Sequence, residues 1–137
     1  MRKKSKSKSQ IIEEAAVLMQ KYVRLKAADE NGYVSCVTCG TTKLWNDGMQ
    51  GGHYIPRKHI VTKLLEENIH PQCSYCNGPL DGNRGKYALY LEDMYGREYV
   101  EWLESQRQVT THYTKTEAYE KLEEVKELMR RLEDENI

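Results

Sequence analysis

The sequence predicts an α+β fold, with a small core of two short strands and a helix flanked by N- and C-terminal helices. Apolar residues recur at helical spacing near both ends, whereas the middle is rich in turn residues. Two C-x-x-C pairs, at residues 36–39 and 73–76, enclose that middle part. Only 39% of the 137 residues are hydrophobic, so we expect something besides apolar burial to stabilise the fold.

The first eight residues form a basic segment that contains five lysine or arginine residues and no acid. The segment is too polar to pack, so residues 1–8 are expected to be a disordered arm. The arm either keeps the chain in solution or contacts nucleic-acid phosphates, and both interpretations stay open. Its basic residues are Arg2, Lys3, Lys4, Lys6 and Lys8.

A long helix is predicted within residues 9–32. Ser9 can cap its first turn, and Glu13 and Glu14 suit the positive end of the helix dipole. Apolar residues then recur every three or four positions until the dipeptide Asn31-Gly32, which is a typical stop signal.

The turn-rich segment that follows predicts two brief strands. Asp47-Gly48 is a hairpin signal, so we expect the strands to be joined near residues 46–48. The second strand would include residues 53–55 and end at Pro56, because proline cannot donate to a strand ladder.

Three helices are predicted after the second cysteine pair. The first covers about residues 82–95 and ends at Gly96, and the second covers residues 97–107. The capping box from Thr114 to Glu117 begins the third. The final helix has a narrow apolar stripe, which we expect to pack on the chain's own body rather than on a partner helix. Residues 33–96 would form the core and residues 97–137 a helical extension. The stripe consists of Ala118, Leu122, Val125, Met129 and Leu132.

The four cysteines predict a structural zinc ion. A two-residue gap lets both thiolates of a pair bind one tetrahedral ion, and two such pairs complete its ligand set. The alternatives are two redox motifs or two disulfides. Neither an export signal nor a strand–helix–strand pattern accompanies the pairs, so both alternatives are disfavoured. The predicted zinc ligands are Cys36, Cys39, Cys73 and Cys76.

Charge is distributed unevenly along a chain whose formal net charge is zero. Residues 43–86 hold six basic and four acidic residues, whereas residues 116–137 hold four basic and eight acidic ones. The middle is therefore the part that would face an anionic partner, and Lys58, Arg84 and Lys86 are its candidate contacts. No stretch is long and apolar enough to span a membrane, so we expect a cytoplasmic protein without a membrane partner.

The motifs G-H-Y-x-P-R, at residues 52–57, and N-x-H-P-Q-C-x-x-C-N, at residues 68–77, carry a resemblance to a known family. With the later Gly82-Asn83 and Tyr87, they look like the NinG/Rap recombination endonucleases of lambdoid phages. More broadly, the chain resembles the HNH, or His-Me-finger, nucleases from about Cys36 to Leu103. The resemblance implies a treble-clef-like ββα core stabilised by zinc.

The resemblance also implies residue roles. His53 would be the general base, Asn68 would orient the strand or His53, and Arg57 would contact phosphate. A Mg²⁺ or Mn²⁺ ion would be held by Asn77, which we expect to converge with His53. His70 is either a second metal ligand or a hydrogen-bonding residue, and Asn83 is a further candidate ligand.

One position departs from the pattern that the resemblance implies. Nucleases of this type commonly carry an acid or a histidine directly before the base histidine as a metal ligand, and here that residue is Gly52. Either fewer protein groups hold the metal, or His53 is a ligand and another residue is the base.

The resemblance implies a metal-dependent endonuclease that cleaves branched DNA, such as a Holliday junction or a D-loop, in phage or prophage recombination. Two symmetric cuts would suit a homodimer, and the protein would work in the bacterial host's cytoplasm. Two alternatives remain: a non-catalytic zinc module that binds nucleic acid, and a zinc-stabilised protein adaptor.

Overall fold

The computed structural model describes residues 5–135, which combine six α-helices and two short 3-10 helices, Glu66–Asn68 and Gln106–Gln108, with two small sheets. Each sheet is an antiparallel pair of strands, β1 with β2 and β3 with β4. The α+β prediction is therefore confirmed at this level. The helices are α1 Lys8–Ala27, α2 Ile60–Lys63, α3 Ser74–Asn77, α4 Arg84–Tyr95, α5 Arg97–Ser105 and α6 Lys115–Glu135. The strands are β1 Tyr33–Ser35, β2 Thr42–Leu44, β3 Met49–His53 and β4 Ile69–Cys73.

Helix α1 is capped by Ser7, so the predicted cap at Ser9 is wrong. The Ser7 hydroxyl accepts from the backbone N–H of Gln10, and the Gln10 side chain accepts in return from the Ser7 N–H. This reciprocal pair satisfies two helix-end donors at once, which a cap at Ser9 would not do. The helix consequently begins at Lys8, which we had assigned to the disordered arm, and ends at Ala27, four residues before Asn31.

The strands do not pair as predicted. Strand β1 pairs with β2 around the first cysteine pair, and β3 pairs with β4, a segment that the sequence did not reveal as a strand. The Asp47-Gly48 turn leads into β3 but does not join two paired strands. β3 ends at His53 and does not extend to Ile55. Pairing between β3 and β4 brings the segment before His53 against the segment before Cys76.

Helices cover both faces of the β3–β4 sheet. A Cβ atom built on Gly51 would lie 2.7 Å from the backbone of Gln20, so α1 packs closely on one face. On the other face the Tyr87 hydroxyl of α4 donates to the Gly52 carbonyl over 2.7 Å. Because side chains alternate along a strand, His53 shares the α1 face and Gly52 the α4 face.

The last helices belong to the packed body. The predicted apolar stripe of α6 lies against α1 and Ile69, as expected of a helix that packs on its own chain. The capping box of Thr114 and Glu117 is formed in both directions. Helix α5 packs with α4 around Tyr54 and Ile55, so the residues after 96 complete the core beside the end of β3.

Within residues 5–135, no helix combines the length and the apolar character that a bilayer crossing requires.

Candidate functional site

The four cysteines come together as a candidate metal centre. Their sulfur atoms all lie within 4.8 Å of one another, and all four thiols are free. The Sγ atoms of Cys39 and Cys73 are 3.7 Å apart. Zinc–sulfur bonds of about 2.3 Å place neighbouring sulfurs of a tetrahedral site about 3.8 Å apart, so the donor set fits a structural zinc ion.

Hydrogen-bond donors surround the sulfurs. The hydroxyls of Thr38 and Thr41 lie 3.2 Å from the sulfurs of Cys36 and Cys39, respectively. Asn83 Nδ2 donates to the sulfur of Cys76 over 3.6 Å. Donors of this kind stabilise thiolates and orient metal ligands. Asn83 therefore contacts the cysteine cluster, and its role as a ligand of a catalytic metal stays a prediction.

The two threonines were not predicted as site residues, although the sequence contains a signal for them. Each follows a cysteine of the first pair by two positions, at Thr38 and Thr41. Burial alone would raise the pKa of the Cys36 thiol, but hydrogen bonds from Thr38 and nearby backbone groups lower it to about 6. The first cysteine pair is thereby favoured as thiolate, the form that binds metal.

His53 stands at the end of β3 with one ring nitrogen already engaged. Its Nε2 lies 2.8 Å from the carbonyl oxygen of Lys63. A carbonyl only accepts, so the neutral ring carries its proton on Nε2 and keeps a lone pair on Nδ1. Burial, together with the nearby charges of Arg57 and Lys63, lowers the pKa of His53 to about 4. The imidazole is therefore neutral at physiological pH.

Three charged side chains accompany His53 on the α1 face. Glu13 of α1 forms ion pairs with Arg57 and with Lys63, the latter over 3.0 Å. Lys63 also supplies the carbonyl that engages His53. Neither Glu13 nor Lys63 was predicted as a site residue. Glu13 lies on α1, far before the motif in the sequence, and only the tertiary fold brings it to Arg57 and Lys63.

Asn68 is fully buried and holds the segment that follows His53. Its amide accepts from the N–H of Ile55 and donates to the carbonyls of Ile55 and Thr62. These bonds fix the connection between β3 and β4 at both ends. Asn68 thus positions the backbone around Arg57 and Lys63 and makes no hydrogen bond to His53 itself.

His70 is enclosed by tyrosines. Its Nδ1 lies 3.1 Å from the Tyr87 hydroxyl and its Nε2 lies 2.9 Å from the Tyr95 hydroxyl. Burial lowers the pKa of His70 to about 4. Both ring nitrogens have tyrosine partners, which favours the hydrogen-bonding role of the two predicted for His70.

Asn77 does not converge with His53. Its Nδ2 donates to Gln50 Oε1 over 2.7 Å, and Gln50 precedes His53 by three residues. Such an offset corresponds to about 10 Å along the strand and to opposite faces of it. The predicted ligands Asn77, His70 and Asn83 thus have separate partners, and this set does not fit a Mg²⁺ or Mn²⁺ ion.

The predicted DNA contacts divide into three groups. Lys6 and Lys8 lie exposed at the start of α1, where Lys6 pairs with Glu14 over 2.6 Å. Lys58 and Lys86 are exposed as expected, whereas Arg84 is half-buried and donates to the Tyr54 carbonyl. Arg2, Lys3 and Lys4 lie outside the described residues.

The fold and the cysteine cluster define a small α+β protein with four cysteines placed to hold a metal ion. The chain matches the family described as "Bacteriophage Lambda NinG protein" over residues 1–135. It belongs to the NinG family, in agreement with the resemblance carried by the two motifs.

Two curated relatives are phage proteins named "Protein ninG", from Escherichia phage 933W and Enterobacteria phage VT2-Sa. Each is 32% identical over 103 residues, which cover 73% of this chain and 47% of the relative. The chain thus spans about half the length of the curated relatives it matches. No solved structure matches it significantly.

Proposed function

We propose that this protein is an endonuclease that hydrolyses DNA phosphodiester bonds with His53 as general base. One observation carries the proposal: Nε2 of His53 is held by the Lys63 carbonyl, which leaves Nδ1 to accept a proton from water. The lowered pKa keeps this nitrogen unprotonated at neutral pH. The imidazole is therefore oriented and in the required protonation state before any substrate binds.

Two cations beside His53 supply the charge that such a reaction needs. Attack of water on a phosphodiester builds negative charge on the phosphoryl oxygens, and preorganised cations stabilise that charge. Arg57 and Lys63 lie close enough to His53 to depress its pKa. In the proposed reaction, His53 Nδ1 takes a proton from a water molecule, whose oxygen attacks phosphorus while these side chains bind the non-bridging oxygens. The P–O3′ bond breaks, and the leaving 3′ oxygen takes a proton from solvent, which leaves 5′-phosphate and 3′-hydroxyl ends.

Substrate and assembly are proposed on the family resemblance. We propose branched DNA in phage or prophage recombination as the substrate, a phage or prophage gene as the source, and a homodimer as the active form. A Mg²⁺ or Mn²⁺ requirement stays a prediction for the cleavage assay. The residues predicted to hold that ion have separate partners, so the proposed reaction uses His53, Arg57 and Lys63.

A second candidate function has one specific observation in its favour. His53 is only 7% exposed, and a buried histidine bonded to a carbonyl can be purely structural. The chain would then be a zinc-stabilised DNA-binding module that lacks catalysis. Its basic residues at the start of α1 and near His53 serve binding in either case.

Incubation of the full chain with branched and linear DNA distinguishes the two functions. Cleavage is measured with Mg²⁺, with Mn²⁺ and with EDTA, for the wild type, His53→Ala and Leu89→Ala. Leu89, which is 68% exposed on α4, is the control. Cleavage that His53→Ala abolishes and Leu89→Ala retains supports the enzyme. Binding by the wild type without cleavage under every metal condition contradicts it and favours the binding module.

A further inference from the structure

The carboxylate of Glu13 engages two cations through separate oxygens. Its Oε1 accepts from Nη2 of Arg57, and its Oε2 lies 3.0 Å from Nζ of Lys63. A phosphodiester can bind two cations in the same way, because its two non-bridging oxygens share a negative charge on one central atom. Glu13 therefore holds the pair of cations in the manner that a DNA phosphate would.

The two cations lie near His53, the proposed general base. Lys63 contributes its carbonyl to the His53 ring, and Arg57 follows His53 by four residues on the same connection. A cavity of about 140 Å³ beside Lys63 is also lined by Lys8 and His112. Basic residues thus extend from the pair towards the start of α1.

We propose that Arg57 and Lys63 form a phosphodiester-binding site which the Glu13 carboxylate occupies in the free protein and leaves when DNA binds. The inference rests on the proposed function for its substrate class. It adds Glu13 as an internal competitor of the substrate for the two cations that the proposed reaction uses.

Displacement of the carboxylate is physically feasible. The side chains of Glu13 and Arg57 are 47% and 44% exposed, whereas that of Lys63 is 17% exposed. Half-exposed ion pairs contribute little net free energy, so Glu13 can rotate into solvent when a phosphate replaces it. The competition would lower DNA affinity and would favour phosphates that also contact neighbouring basic residues.

The test compares two neighbouring substitutions with the same change of charge. The dissociation constant for a DNA duplex is measured by fluorescence anisotropy in EDTA at low salt, for Glu13→Gln and Glu14→Gln. Glu14 is a stringent control, because its substitution also frees a cation, Lys6. We expect Glu13→Gln to bind about 5-fold more tightly than Glu14→Gln, with a steeper salt dependence because more phosphate contacts form.

A third variant tests whether the gain in DNA affinity comes from the site formed by Arg57 and Lys63. In the double variant Glu13→Gln/Arg57→Gln the extra affinity should disappear, since one of the two freed cations is gone. Equal affinities of Glu13→Gln and Glu14→Gln, or a gain that persists without Arg57, would overturn the inference. Cleavage by the wild type is scored separately. If the wild type cleaves DNA but Glu13→Gln and Glu14→Gln bind it equally well, only the inference about Glu13 is overturned. If Glu13→Gln binds more tightly but the wild type does not cleave, only the proposed nuclease activity is overturned.

Discussion

The side-chain oxygen of Gln72 occupies the space that any side chain at Gly52 would need. A Cβ atom built on Gly52 would lie 1.9 Å from Gln72 Oε1. The Gln72 amide is fixed from its other end, where Nε2 donates to Thr38 Oγ1 and to the Gly82 carbonyl. Any side chain at position 52, an acidic one included, would therefore overlap the Gln72 amide as it lies in this structure.

Gly52→Ala should therefore destabilise the protein strongly. Overpacking against a fixed, buried amide costs about 3 kcal/mol of unfolding free energy. The measurement is urea denaturation followed by circular dichroism. Gly85→Ala is the matched control, since a Cβ at Gly85 meets nothing within 4 Å, and it should be neutral or slightly stabilising in α4. Equal midpoints for both variants would contradict the observed packing.

Loss of one zinc ligand should unfold the middle of the chain. Cys73 is buried where β4 ends, opposite Met49 in the register, so Cys73→Ser removes a ligand and loosens that end of the sheet. We expect loss of bound zinc and destabilisation by roughly 3 kcal/mol or more. Metal content and circular dichroism test this, with chelation of wild-type zinc as an independent route to the same state. Full zinc content and an unchanged midpoint would refute the metal centre.

Substitution of Asn68 should lower the free energy of unfolding far more than substitution of Asn77. Asn68→Ala leaves buried backbone groups of Ile55 and Thr62 without partners, which should cost about 3 kcal/mol. Asn77 is half-exposed and bonds to one side chain, so Asn77→Ala should cost well under 1 kcal/mol. Thermal and urea unfolding of the two variants measure the difference. A similar loss in both would mean that Asn68 does not hold the β3–β4 connection.

His70 should make stability depend on pH. Its pKa is lowered from 6.5 to about 4 in the folded protein, so the unfolded chain takes up the proton first as the pH falls. The stability that a neutral His70 contributes is present above pH 6.5 and is lost progressively towards pH 4. Between pH 6.5 and 4.5 the wild type should lose about 2 kcal/mol more than His70→Phe. If the unfolding free energies of the two proteins fall equally between pH 6.5 and 4.5, His70 does not cause the pH dependence.

Some differences between prediction and structure could have been avoided. Ser7 is followed three residues later by Gln10, a capping-box pattern that the sequence shows openly. The pairing of β3 with β4 could not have been predicted from a local sequence pattern. Pro71 and alternating polar residues in β4 argue against a central strand, and its partner β3 lies about twenty residues earlier in the chain.

The sequence by itself determined the helices after residue 82, the capping box of α6, the four cysteines as a metal-binding set and the family. These features depend on residues a few positions apart in the sequence, and local backbone geometry is enough to bring such residues together. Only the tertiary structure decided that Glu13 and Lys63 join Arg57 beside His53, that tyrosines enclose His70, and that Asn77 lies away from His53. Those relations depend on how α1 and α4 cover opposite faces of one sheet, and long-range packing sets that arrangement.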